Sequence, residues 1–297
     1  MDGILIIDKP AGPTSHDVVN RVRRILQTRK VGHTGTLDPF ATGVLVLVIG
    51  KATRLAQFLD KDEKEYEAMI RFGFETDTGD PTGSRVSDSE LKNDEIVTML
   101  SEVDWEETLS GFRGEIQQLP PMYSAKKVEG KKLYESARKG IEVDRKPIKI
   151  TIYKLELIGS GETSMTIRVA CSSGTYIRTL AEDLGRSVGV GAHLEGLRRT
   201  RAGRFSINES LTLEELENTV DPSKSLLPTS EAVAHLPAFT LPTERIEKTM
   251  NGLATHVETD DFKSGDAVRM LNGEGGIVAI GTYESRESNI KPKIVLV

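Results

Sequence analysis

The chain has 297 residues, room for about two domains. Hydrophobic residues make up 37% and charged residues 28%, which fits a globular chain with a buried core and excludes a low-complexity one. No apolar run approaches the roughly 18 residues of a membrane-spanning helix, no secretory leader is expected from Met1-Asp2-Gly3-Ile4, and a single cysteine, Cys171, excludes an internal disulfide.

The net charge of −6 argues against a nucleic-acid partner when taken globally, because phosphates select a basic footprint. The charge is unevenly spread. No acid lies between Asp17 and Asp38, a stretch that holds Arg21, Arg23, Arg24, Arg29 and Lys30. A second acid-free stretch after Glu195 carries Arg198, Arg199, Arg201 and Arg204, and a third basic cluster runs from Lys126 to Lys139. Acidic residues concentrate from Asp88 to Glu107. The expectation is a basic surface that tracks phosphates.

Residues 3–7 read as a short apolar strand, ended by the loop D-K-P-A-G-P. Ser15 reads as the N-cap of a helix that buries Val18, Val22, Ile25 and Leu26. Residues 32–43, G-H-T-G-T-L-D-P-F-A-T-G, are too rich in turn formers for a helix or a flat strand. Residues 44–49, V-L-V-L-V-I, form an unbroken apolar run, the pattern of a strand buried on both faces. Asp38 is thereby fixed on a tight loop beside a buried strand, a costly place for a charge without a partner or a task. A phosphate-loop reading fails because Ala52 follows Lys51 where Ser or Thr belongs. A zinc reading fails because His33 has no second ligand at the right spacing.

Residues 65–72 alternate, placing Tyr66, Ala68, Ile70 and Phe72 on one buried face. Residues 76–83 read as a turn, and 91–105 as an acidic amphipathic helix. Residues 117–126 lead through a glycine into a short basic helix over 131–139. Two alternating runs, 148–158 and 163–171, flank G-S-G and predict a hairpin. Tyr176 and Arg178 then share a face only if the chain is still extended, with a helix following over 179–187. Cys171 lies in an apolar strand pattern and reads as a buried small residue, not a nucleophile. Leu197 reads as core. From about residue 239 short strands alternate with glycines, the pattern of a small β-barrel.

The string H-T-G-T-L-D-P-x-A-T-G-V-L from His33 to Leu45 resembles the catalytic motif of the TruB family of bacterial tRNA pseudouridine synthases. D-K-P-x-G resembles that family's N-terminal motif, K-x-Y its tyrosine context, and C-S-x-G-T-Y-I-R-T-L its second active-site motif. The resemblance implies an α+β pseudouridine synthase fold with a central mixed, mainly antiparallel sheet flanked by helices. It implies a catalytic domain over 1–235 with an RNA-gripping insertion near 116–150, and a PUA-like RNA-binding β-barrel over 236–297. The implied activity is an isomerase that converts the T-loop uridine (position 55) of tRNA to pseudouridine by base flipping. Asp38 is then the essential aspartate, Arg178 its partner, holding the acid ionised with a low pKa, and Tyr66 the active-site tyrosine. His33, Tyr176, Leu197 and Lys9 are expected to contact the substrate. No metal and no cofactor are expected, the partner is the tRNA T-arm, and the enzyme is expected to be a cytoplasmic monomer. A protein that only binds RNA and an acid–histidine or phosphate-loop hydrolase are the competing classes.

Overall fold

The computed structural model describes residues 1–59, 62–88, 91–124, 126–128, 130–133, 137, 140, 141 and 143–296. The N-terminal elements are strand β1 (Gly3–Lys9), helix α1 (Ser15–Ile25), and strands β2 (Val31–His33) and β3 (Thr42–Ile49). Strand β1 runs two residues further than expected and takes in Asp8 and Lys9. Thr14, not Ser15, caps α1, and it closes a capping box with Asp17. This frees the Ser15 side chain to point inward.

Strand β3 is buried on both faces, as its apolar run predicts. Val44, Val46 and Val48 pack with Ile4, Ile6, Leu55 and Phe205, and also with Ile280, Ile294 and Leu296 from the C-terminal region. Leu45, Leu47 and Ile49 pack on the opposite side against Val18, Val22 and Leu213. Each such side chain contributes about 2 kcal/mol on burial, so the strand that follows the Asp38 loop is firmly anchored.

Further along are α2 (Ala56–Leu59), β4 (Lys64–Phe72), a small hairpin of β5 (Phe74–Thr76) and β6 (Arg85–Asp88), α3 (Asn93–Ser101) and α4 (Trp105–Ser110). The single helix expected over 91–105 is two, because Asp104 caps a second helix with its side chain. Strands β7 (Gly114–Gln118), β8 (Lys127–Val128) and β9 (Lys131–Lys132) follow. Lys131 and Lys132 are thus strand, and the rest of the expected basic helix, with Arg138 and Lys139, falls mostly outside the described residues. Strands β10 (Ile148–Ser160) and β11 (Ser164–Cys171) form the predicted hairpin. Helix α5 (Ile177–Ser187) leads to β12 (Ala192–Ala202) and β13 (Phe205–Ser206), and α6 (Leu213–Asn218) follows.

The large sheet runs β1-β3-β12-β4-β11-β10-β7, with β2 on β3 and β13 on β12. All pairings are antiparallel except β12 with β3, so the sheet is mixed and mainly antiparallel. Its register places Arg199 beside both Tyr66 and Gly43. Gly43 has φ +100°, and a side chain there would strike the Arg199 backbone. A second, five-stranded sheet combines β14 (Ala238–Thr240), β15 (Thr255–His256), β16 (Ala267–Leu271), β17 (Ile277–Glu284) and β18 (Asn289–Val295), in the order β14-β16-β17-β18-β15. Helix α7 (Thr243–Met250) lies in the same region. Among the described residues no helix is long and apolar enough to cross a membrane.

Candidate active site

Asp38 lies in the irregular loop between β2 and β3. Ser15 Oγ donates to the Leu37 carbonyl at 3.1 Å and accepts from the Leu37 amide at 2.9 Å. From below, Lys9 Nζ donates to the carbonyls of Pro10, Pro39 and Ala41 at 2.8, 3.1 and 2.7 Å. An ammonium has three hydrogens, and all are committed. Lys9 is fully buried; it positions the Asp38 loop and has no donor to spare. Burial lowers its amine to about 8, with Asp38 opposing and Arg199 adding to the shift.

Arg178 reaches Asp38 from 140 residues away in sequence. Its Nε lies 3.0 Å from Asp38 Oδ2, and Nη2 lies 3.4 Å from Oδ1. The same guanidinium donates to the carbonyls of Thr78 and Tyr123 at 2.8 and 2.6 Å, and approaches Asp80 Oδ2 at 3.5 Å. Asp80 is itself held by Thr78 Oγ1 at 2.7 Å and by the Thr82 amide at 2.9 Å. The helix expected from residue 179 begins at Ile177, so Arg178 sits in the first turn of α5, with Tyr176 extended as its N-cap residue. Gln118 fixes that start. Its side-chain amide donates to the Tyr176 carbonyl at 2.9 Å and accepts from the Tyr176 amide at 2.8 Å.

The Asp38 side chain keeps a third of its surface exposed, toward the cavities it borders. Burial raises its pKa above the usual carboxylate value, Arg178 and Lys9 draw it down, and Asp80 pushes it up. The expectation that Arg178 holds this acid low is therefore corrected: desolvation outweighs the guanidinium.

Asp38, Tyr66, Tyr176, Arg178 and Leu197 line one cavity of about 250 Å³, together with Arg199. Burial raises the Tyr66 phenol, while the Arg199 guanidinium beside it pulls in the opposite direction. Tyr66 is thus an aromatic wall carrying a neutral hydroxyl. A second cavity of about 710 Å³ adjoins from the other side of Asp38 and is lined by His33, His16, Thr82 and Tyr123 among others. The structure thus gathers five of the seven expected site residues around one cavity, places His33 at the neighbouring one, and puts Lys9 beneath the loop.

The arginines after Glu195 do not form the expected phosphate-facing cluster. Arg198 pairs with Asp8 at 2.7 Å, and Arg201 and Arg204 pair with Glu63 and Glu231. Arg199, 1% exposed, donates to the carbonyls of Val44 and Gly35 at 2.6 and 3.1 Å. In the first cluster Arg21 pairs with Glu217, whereas Arg24, Arg29 and Lys30 stay exposed. Cys171 is buried, and its thiol is pushed up to about 12, in keeping with a packing role.

Comparison with known proteins agrees with this geometry. The pattern described as TruB family pseudouridylate synthase (N terminal domain) matches residues 23–177, and that of the tRNA pseudouridylate synthase B C-terminal domain matches 178–246. The chain is 43% identical over 287 residues to tRNA pseudouridine synthase B of Solibacter usitatus, covering 95% of each protein. It is 40% identical over 309 residues to tRNA pseudouridine synthase B of Bacillus pumilus, covering 100% of this chain and 98% of that one. Among solved structures, a chain of a Cbf5-Nop10-Gar1 complex superposes with a TM-score of 0.74 at 28% identity, covering 99% of this chain and 85% of the other. A chain of an H/ACA RNP bound to a substrate RNA containing 2′-deoxyuridine gives 0.71 at 27% identity, with the same coverage. The chain belongs to the TruB family of pseudouridylate synthases, which are isomerases, and it has the pseudouridine synthase fold.

Proposed function

We propose that this chain converts the T-loop uridine (position 55) of tRNA to pseudouridine without a cofactor. The reaction breaks the N1–C1′ bond, turns the uracil and forms a C5–C1′ bond; the C5 proton leaves and N1 ends protonated. Atoms and electrons balance within one nucleotide. The observation that carries the reading is the Arg178–Asp38 ion pair, which joins two distant motifs at the edge of a cavity walled by Tyr66 and Leu197. A uridine extruded from its stack would enter that cavity with its base against Tyr66. Its glycosidic bond would then lie at Asp38, where an ionised carboxylate captures or stabilises the detached fragment. Arg178 holds the carboxylate in one orientation through two nitrogens. Tyr66 is a neutral phenol, so it takes the C5 proton only by passing its own proton to the turned uracil, with Arg199 stabilising the phenolate between the two transfers. His33 lines the larger cavity and is assigned the space the base vacates.

The relatives named tRNA pseudouridine synthase B support tRNA as the substrate. Residues 236–297 are assigned to a PUA-like module that contacts the RNA outside the T-loop, and residues 1–235 to catalysis. The enzyme is placed in the cytoplasm as a monomer. Replacing Asp38→Asn tests the reading. Pseudouridine formation on a tRNA transcript, read by mass shift after chemical labelling, should fall by about 10³-fold or more, with tRNA binding largely retained. Turnover near the wild-type rate would refute the assignment.

A further inference from the structure

Gln118 ends strand β7, at the edge of the large sheet, and its backbone pairs with Ile148 of β10. Its side chain is 1% exposed and lines neither cavity at Asp38. Its amide group is spent on a single residue 58 positions away, holding the Tyr176 carbonyl at 2.9 Å and the Tyr176 N–H at 2.8 Å.

Helix α5 explains why that residue is held so closely. Tyr176 is the N-cap residue of α5, yet its own side chain makes no capping bond. A phenol cannot do there what Ser, Thr, Asp or Asn does. Ile177, Leu180, Ala181 and Leu184 pack α5 into the core. That packing fixes the helix sideways, but not the point where extended chain turns into helix. Gln118 fixes that point. Arg178 follows at once in the first turn, and Tyr176 lines the cavity with Asp38. The chain after Gln118 adds to the hold: the Leu119 carbonyl accepts from Thr179 Oγ1 at 3.5 Å, and the Tyr123 carbonyl from Arg178 Nη2 at 2.6 Å. A helix start displaced by about 1 Å would carry the guanidinium off its contact with Asp38.

We infer that Gln118 is a positioning residue for the reaction: by holding both backbone groups of Tyr176 it sets where α5 begins, and so how Arg178 meets Asp38. The inference rests on the proposed function, and it adds a residue that acts without touching the substrate.

The test is Gln118→Met in the full-length chain, which keeps the side-chain length and removes both bonds. Turnover of a tRNA transcript should fall about tenfold with KM within about twofold, because a displaced Arg178 costs rate more than affinity. Arg178, Asp80 and Lys9 all act on Asp38, and Arg178 draws its pKa down. Loosening that contact raises the pKa, so the acid limb of the pH–rate profile should move to higher pH, by less than in Arg178→Met. In the Arg178→Met background, Gln118→Met should move the limb no further, since both act along one route. Val268→Ala, in the core of the second sheet, is the control: it should lower the urea midpoint and leave the limb in place. A limb unmoved by Gln118→Met, moved again in the Arg178→Met background, or moved equally by Val268→Ala overturns the inference. Gln118→Asn, whose amide is one methylene short of Tyr176, should move the limb in the same direction and replaces the methionine variant if that one does not fold. A wild-type chain that leaves the transcript unmodified overturns the proposed function instead. The titration of the Asp38 carboxyl carbon by NMR, with and without Gln118→Met, then decides the positioning role.

Discussion

Arg178 and Arg199 border the same cavity, both almost wholly buried, and they engage different kinds of partner. Arg178 gathers Asp38 and Asp80 with the carbonyls of Thr78 and Tyr123. Arg199 donates to the carbonyls of Val44 and Gly35 and lies beside Tyr66 in the sheet register. The first region sets the charge and orientation of Asp38. The second holds the cavity's aromatic wall to the strand that carries the acid's loop. Two buried guanidinium groups thus differ by their partners, carboxylates for Arg178 and a phenol with two carbonyls for Arg199.

Paired substitutions should separate the two roles most sharply. Arg178→Met leaves two acids facing each other without their shared cation. Turnover should fall by about 10³-fold, and stability by about 3 kcal/mol, the scale for breaking a buried charge network. The guanidinium lowers the Asp38 pKa, so its removal raises that pKa further. Activity that needs the ionised acid is lost as pH falls through this pKa, so the acid limb of the residual rate should move to higher pH. Arg199→Met should cost a similar amount of stability, about 2–3 kcal/mol, by leaving two carbonyls without donors, but it should leave the acid limb nearly in place. Urea midpoints and pH–rate profiles of the two variants check this. Matching profiles would erase the distinction.

Asp80→Asn should give the opposite displacement with a smaller loss. The amide can still accept from Thr82, while the charge that pushes Asp38 up is gone. The Asp38 pKa then falls, and the acid limb should move to lower pH. Plateau turnover should drop about tenfold, because Arg178 loses one of its two acids. An acid limb that moves upward in both variants would show that Asp80 does not act on Asp38 through its charge.

The parts of this site that were legible in the sequence are those with a local pattern. The apolar run 44–49 gave away a doubly buried strand, and the glycine-framed loop placed Asp38 beside it. Alternation put Tyr66 on an inward face. Asp80 was not legible, because its loop contains Asp77 and Asp80 in one polar turn, and nothing local says which turns inward toward a guanidinium. The arginines 198–204 misled because acids that neutralise them lie far off in sequence, at Asp8, Glu63 and Glu231. The burial of Lys9 had no local sign because the carbonyls that surround it belong mainly to the Asp38 loop, some thirty residues away. A motif match can name such residues, but only the assembled backbone shows which of them line the cavity and which hold the loop.

Ser15 shows how this matters for the smallest effect expected. Thr14 and Ser15 can both cap a helix, and choosing Thr14 turns Ser15 inward, where it brackets both backbone groups of Leu37. Ser15→Ala removes two hydrogen bonds from the residue preceding Asp38 and leaves the cap intact. Stability should fall by about 1–2 kcal/mol, read as a lower urea midpoint with unchanged slope. Turnover should fall severalfold, because the acid's loop is less tightly fixed. No charge is added or removed, so the acid limb should stay where it is. A displaced limb would mean that the hydroxyl acts on the ionisation of Asp38, and the division between groups that set its charge and groups that fix its place would fail at this position.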